Sequence, residues 1–189
     1  MDHTANVMDR TEALLIEQAA QGDAESFARL YDIHVKRVYR YIFYRVSDIS
    51  VAEDLTQEVF LRGWKALPKF RKVSNKPFVG WLLTIAHNLV IDHYRSRRME
   101  STLEDDIMTA DTATDPQQMA AVGMEQKRLQ EAIRQLRPEQ QQVIILRFIE
   151  GFEYSEIAAL LGKKEGAIRV IQHRALKGLK QILDKDTGQ

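Results

Sequence analysis

The sequence predicts an all-α fold, with two small helical domains joined by a flexible acidic linker and a helix-turn-helix in the second domain. Three observations predict it. Apolar residues recur at spacings of three, four and seven over most of the chain, the stripe of a 3.6-residue helix. Only 9 Gly and 4 Pro interrupt 189 residues, few for a fold of strands and turns. The third observation is a segregation of charge beneath a net charge of zero. Residues 10–99 carry 15 Lys and Arg against 10 Asp and Glu, residues 100–118 carry six acids and no base, and residues 119–189 carry 12 bases against 9 acids. Two basic blocks thus flank an acidic connector, and each block's local field counts for more than the vanishing total.

The elements follow in order. A short first helix is signalled by Asp9 and Glu12 at capping-box spacing, followed by Ala13, Leu14, Leu15 and Ile16, with Gly22 as its stop. Asp23 then caps a long helix striped by Phe27, Leu30, Tyr31, Val38, Tyr41 and Ile42. Ser50 and Glu53 form a second capping box, opening a helix that runs to about Ala66 and is ended by Pro68. Residues 69–77 read as a loop carrying Lys69, Arg71, Lys72 and Lys76. From Pro77 a further helix shows Phe78, Trp81, Leu82, Ile85, Ala86, Leu89 and Val90, and ends in the basic run Arg95, Arg97 and Arg98. Periodicity disappears in the Thr-, Asp- and Ala-rich linker, 100–118. It resumes near Met119 with Val122, Leu129, Ile133 and Leu136. Pro138 suits the first turn of the next helix, which carries Val143, Ile144 and Leu146 and breaks at Gly151. The expected domains are residues 10–99 and 119–185.

The last 40 residues hold the most specific local pattern. Ser155 to Leu161 reads as a short helix stopped by Gly162, where a left-handed backbone costs least. A longer helix begins near Gly166. Helix, glycine turn, helix is the helix-turn-helix arrangement, whose second helix enters the major groove. At about 100° per residue, Ile168, Ile171, Ala175, Leu179, Ile182 and Leu183 share one face. Arg169, His173, Arg174 and Lys177 fall on the opposite face, with Lys163 and Lys164 in the turn before it. Arginine can chelate a guanine edge, and lysine anchors phosphates.

Other classes of function are disfavoured. Cys is absent, which excludes disulfides and Cys-based zinc sites and fits a reducing cytoplasm. Met1 to Ala20 carries four acids without an apolar core, unlike a signal peptide. Phe78 to Ala86, the longest nearly apolar stretch, is far short of the ~20 residues that span a bilayer. The five His (His3, His34, His87, His93 and His173) are scattered, and no nucleophile triad, metal-ligand spacing or phosphate-binding glycine loop appears. Asp54 and Glu58 share a helix face, yet no third polar partner marks them as an acid–base pair. No enzyme, cofactor, metal or small-molecule substrate is expected.

The chain resembles the sigma-70 family, and within it the compact extracytoplasmic-function (ECF) group. Asp54-Leu55-Thr56-Gln57-Glu58-Val59-Phe60-Leu61-Arg62-Gly63-Trp64 is similar to the family's polymerase-clamp-binding helix. Phe78 to Asn88, continuing through Asp92-His93-Tyr94-Arg95, resembles its minus-ten recognition helix. Leu136 to Val143, with Glu156-Ile157-Ala158 and Arg174-Ala175-Leu176, is similar to the domain that reads the minus-thirty-five element. The resemblance implies that the protein binds core RNA polymerase through the clamp of the β′ subunit and the flap of the β subunit. It implies promoter DNA and an anti-sigma protein as further partners.

For the sites, the resemblance implies clamp docking by Asp54, Leu55, Gln57, Glu58 and Phe60, the two hydrophobic residues supporting the helix or joining the contact. Lys69, Arg71, Lys72, Asn88, Arg95, Arg97 and Arg98 would meet the minus-ten region, and Lys163, Lys164, Arg169, His173, Arg174 and Lys177 the minus-thirty-five duplex. Phe78 and Trp81 lie on the apolar stripe and read as core rather than base-stacking residues. Asn88 falls away from that stripe and is available to hydrogen-bond a base. The acidic linker could imitate the charge of RNA within the polymerase. A free-standing helix-turn-helix regulator, dimeric on a palindrome, is the competing reading.

Overall fold

A computed structural model of the chain describes residues 3–46, 48–73, 77–101 and 123–187, the side chains of 3–9, 71–73, 97–101, 124 and 186–187 lying outside that description. Every regular element among the described residues is helical. Four helices come first: α1 (His3–Ala20), α2 (Ala24–Phe43), α3 (Ile49–Val73) and α4 (Phe78–Ser101). Then come α5 (Met124–Arg134), α6 (Pro138–Ile144), a single π-helical turn (Ile145–Ile149), α7 (Tyr154–Leu161) and α8 (Glu165–Thr187).

The stripes seen in the sequence become the core. Leu15 and Ala19 of α1, Leu30, Val38, Tyr41 and Ile42 of α2, Val59, Phe60 and Leu67 of α3, and Leu82, Ala86 and Val90 of α4 are buried together. In the C-terminal half, Ile133, Val143, Ile144, Ile157, Ile168 and Ala175 are buried in continuation of the same cluster. Burying each large aliphatic side chain contributes roughly 1.5–3 kcal/mol, so these stripes, rather than helix propensity, hold the elements in place.

Several boundaries differ from the sequence reading. Asp9 lies inside α1, which begins at His3 because residues 3–8 hold neither Gly nor Pro. Glu12 does not cap that helix; its carboxylate meets His34 Nε2 at 3.0 Å. Ser50 is not the cap of α3. The Asp48 carboxylate takes that place, accepting from the N–H groups of Ser50 (2.7 Å) and Val51 (3.3 Å). Pro68 does not end α3, which runs on to Val73. The backbone hydrogen bond that Pro68 cannot donate is outweighed by packing on either side, since Leu67 is fully buried and the Phe70 ring lies 4.6 Å from Trp81 and 5.6 Å from Phe78. Lys69, Arg71 and Lys72 therefore sit on the last turns of a helix, not in a loop. The expected linker overlaps the end of α4 at residues 100–101, and its remainder lies outside the described residues, as do Lys76, Met119 and Val122. Asp23 caps α2 as expected, accepting from the Ser26 N–H at 3.1 Å, and Pro138 opens α6.

The two halves meet along a seam of both polar and apolar contacts. The π-helical turn closes with the Glu150 N–H donating to the Ile145 carbonyl, and Gly151 follows at φ +75°. Glu150 thereby faces α2, its side chain wholly buried. Its two carboxylate oxygens accept from Arg37 Nε (3.0 Å) and Arg40 Nε (2.8 Å), while Arg37 also donates to the Glu150 carbonyl and lies over the Phe152 ring. Gln130 of α5 donates to the carbonyls of Phe43 and Val46, capping the end of α2 from the other half of the chain. Leu160 of α7 packs against Gly80 of α4, where a Cβ would lie 2.7 Å from its Cδ2.

Candidate nucleic-acid and polymerase interfaces

Near the start of α3 an acidic face forms on consecutive turns. Asp54 and Gln57 are exposed, Glu58 is half-buried, and Arg62 pairs with Glu58 at 2.6 Å. Leu61, 48% exposed, completes the stripe 54, 57, 58, 61, which sequence reading took no further than Phe60. Of the two hydrophobic residues expected beside this face, Leu55 is half-buried, while Phe60 is core. Its ring meets Tyr31 at 4.6 Å and Phe27 at 6.4 Å. Phe60 therefore braces α3 on α2, and the exposed apolar contribution comes from Leu61.

The end of α3 and the start of α4 are tied by Phe70, Phe78 and Trp81, with the Phe78 and Trp81 rings 5.6 Å apart. Phe78 is buried and Trp81 half-buried, as the stripe predicted. Lys69, Asn88 and Arg95 are exposed around this region; the side chains of Arg71, Lys72, Arg97 and Arg98 fall outside the described residues. Asn88 is thus turned away from the core on a helix whose opposite side packs inward.

That inner side of α4 carries a polar cluster absent from the sequence reading. Arg45 is buried, and its Nη1 donates to the Tyr41 hydroxyl (2.8 Å) and to His87 Nδ1 (2.7 Å). The Arg45 Nε atom has no hydrogen-bond partner among the described residues. Burial, then the Arg45 charge, holds the His87 pKa down at about 4, so the ring is neutral and accepts at Nδ1. Tyr94 of α4 donates to the Arg45 carbonyl at 2.6 Å. Tyr41 and Arg45 are four residues apart, but only long-range packing brings His87 and Tyr94 to them, so no local spacing announces the cluster.

In the C-terminal half, α7 ends at Gly162 in a left-handed conformation, φ +64° and ψ +34°. After it, Lys163 and Lys164 are exposed in the turn, with Lys163 paired to Glu139 at 2.6 Å. Along α8, Ile168 and Ala175 are buried, Ile171, Leu179, Ile182 and Leu183 are half-buried, and Arg169, His173, Arg174 and Lys177 are exposed. The wheel drawn from the sequence matches the burial of the helix. Tyr154, at the start of α7, was not singled out in the sequence. The Arg169 Cζ atom lies 3.9 Å from its ring centroid. Among the described residues no group of three or more His, Asp or Glu is placed to hold a metal, and no helix is long and apolar enough to cross a membrane.

These features define a two-part helical protein with a helix-turn-helix presenting a cationic face. Comparison with known proteins narrows the class. Residues 30–100 match the family model of sigma-70 region 2, and residues 126–179 match that of sigma-70 region 4. The ECF RNA polymerase sigma factor BldN of Streptomyces coelicolor is 40% identical over 91% of this chain, which spans 66% of BldN's own length. SigK of Mycobacterium ulcerans is 31% identical, the match covering 90% of this chain and 92% of SigK. SigX of Bacillus subtilis is 32% identical over 85% of this chain and 84% of SigX.

Among solved structures, CnrH in complex with the cytosolic domain of CnrY superposes with a TM-score of 0.68 at 25% identity, over 93% of this chain and 99% of CnrH. The sigma factor RpoE, solved with the anti-sigma factor NepR from Bartonella quintana, shares the fold with a TM-score of 0.71 at 24% identity, over 85% of this chain and 98% of RpoE. The chain belongs to the ECF group of sigma-70 family RNA polymerase sigma factors.

Proposed function

We propose that the chain acts in the cytoplasm as a promoter-recognition subunit with no catalysis of its own, and that its surfaces divide the work as follows. The 54-57-58-61 stripe of α3 docks on a basic surface of the polymerase clamp, Asp54 and Glu58 supplying charge and Leu61 an apolar contact. Lys69, Arg71, Lys72, Asn88, Arg95, Arg97 and Arg98 surround the strand separated at the minus-ten element. The exposed face of α8, with Lys163 and Lys164, lies in the major groove at the minus-thirty-five element. An anti-sigma protein, implied by the family, is the proposed masking partner. The observation that carries this reading is the two-sided character of α8: apolar residues buried against the core, and Arg169, His173, Arg174 and Lys177 all outward.

On this reading the docked arrangement does not serve both surfaces at once. The two elements are, by their names, about 25 base pairs apart, or roughly 85 Å of duplex at ~3.4 Å per base pair. The seam holds α7 against α4, so on this reading it opens when the protein binds polymerase and promoter. The 21 residues between Ser101 and Gly123 can extend to at most about 70–80 Å. Together with the helices on either side, that reach suffices.

Run-off transcription with purified core polymerase and a promoter library tests the reading. The expected result is a set of specific start sites that appear only when the protein is added. Duplex binding without polymerase, and no stimulated start, would favour a free-standing regulator.

A further inference from the structure

Tyr154 occupies the outer junction between the two helices of the helix-turn-helix, at the first position of α7. Two guanidinium groups attend its ring, Arg169 with Cζ 3.9 Å from the centroid and Arg147 with Cζ 4.8 Å away. Arg147 is itself fixed from behind, bonding the Phe152 carbonyl at 2.8 Å and the Glu153 carboxylate at 3.1 Å. Arg169 is anchored differently. Its other charged contact is Glu165, at 3.9 Å, and its side chain is 58% exposed. An exposed pair at that separation holds an arginine only loosely. The tyrosine ring is therefore the contact that selects the Arg169 rotamer.

The chemistry of that contact suits a reader of bases. A guanidinium over an aromatic face is attracted by the ring's quadrupole and uses none of its five N–H donors in the interaction. A carboxylate partner would occupy those donors; the ring leaves them in the plane that meets O6 and N7 of a guanine. Arginine also loses rotamer freedom when it binds a base edge in two places, and an arginine already held in place loses less.

We propose that Tyr154 is a positioning residue for promoter recognition, its ring holding Arg169 in the pose from which the guanidinium reads a base edge. The proposal rests on the reading of α8 as the duplex-reading helix. It assigns sequence discrimination partly to a residue outside the recognition helix, through Arg169.

The test uses the full-length protein with core polymerase, selecting from a duplex pool randomised across the upstream element. Sequencing of the bound fraction gives the base preference at each position, and thermal melting is run alongside. Arg169→Ala is expected to abolish the preference at one or two adjacent positions. Tyr154→Leu is expected to lower the preference at those same positions by about two- to fivefold, leaving the others intact. Tyr154→Phe keeps the ring face and is expected to stay within about twofold of the unsubstituted protein. Should Tyr154→Leu melt early, Tyr154→Met removes the ring with a longer apolar chain in its place.

An equal loss at every position, or weaker binding with unchanged preferences, would overturn the proposal, since a supporting or phosphate-contacting tyrosine acts in that way. So would a Tyr154→Phe variant as impaired as Tyr154→Leu, which would assign the effect to the hydroxyl. An effective Arg169→Ala beside a silent Tyr154→Leu overturns the positioning role alone. A silent Arg169→Ala overturns the reading of α8 on which it stands.

Discussion

Single residues show where local chemistry decides and where it does not. Gly162 is left-handed at φ +64° with nothing within 4 Å of where a Cβ would stand. Its replacement by alanine meets no clash, so the cost is conformational alone. Gly162→Ala should destabilise the fold by about 1–2 kcal/mol, seen as a lower midpoint in thermal denaturation. This glycine was legible, because a stop after a short apolar helix demands that backbone. His87 was not: its partners, Arg45 and Tyr41, lie more than 40 residues away in sequence. The folded protein holds the His87 pKa at about 4, below the ordinary 6.5. The unfolded chain therefore binds more protons than the folded one between those values, and stability falls as the pH drops through that window. The loss by pH 4 should be about 1–2 kcal/mol after allowance for the partial exposure of the ring. A His87→Gln variant, measured by denaturant titration across pH 4–7, should show a flatter profile.

At the scale of elements, the all-α class and most helix cores were legible because amphipathic periodicity is local. The boundaries were less so, and α3 shows why. Pro68 favours an end to the helix, but the rings of Phe70, Phe78 and Trp81 hold the chain helical to Val73, and that packing has no signature at the proline itself. Phe70→Ala should therefore loosen the last turn of α3 and cost roughly 1–3 kcal/mol, less than a fully buried phenylalanine because the ring is half-exposed. Faster amide hydrogen exchange confined to residues 69–73 would confirm the mechanism, and uniform exchange along α3 would refute it. The cationic face of α8 was read from a helical wheel and stands as drawn. If Lys177 neutralises a phosphate, Lys177→Ala should weaken binding to all duplexes alike and reduce the slope of log affinity against log salt by about one. Phe60 marks the limit of such reading, since periodicity names an apolar residue without saying whether it faces its own core or a partner.

At the scale of the whole molecule, no sequence pattern announced that the two halves dock. Glu150, Gln130, Arg37 and Arg40 are ordinary polar residues until tertiary structure brings α2 beneath the π-helical turn. Glu150 is the buried member of this clasp, while the Arg37 and Arg40 side chains are 35% and 44% exposed. Water therefore screens the arginines in part once the carboxylate is gone. Glu150→Ala removes the carboxylate but keeps the Gln130 bonds and the Leu160–Gly80 packing. It should therefore weaken the docking and raise the separated fraction, giving a larger mean radius of gyration in small-angle scattering while helical content is kept. The clasp also bears on affinity through reciprocity. Whatever favours the docked form must, by thermodynamic linkage, disfavour any partner that needs the halves apart, and by the same factor. If core polymerase takes only the separated form, its apparent dissociation constant is the intrinsic one divided by the separated fraction. Glu150→Ala, which leaves Asp54, Gln57, Glu58 and Leu61 unchanged and removes a contact rather than adding one, should then make the protein bind core polymerase more tightly.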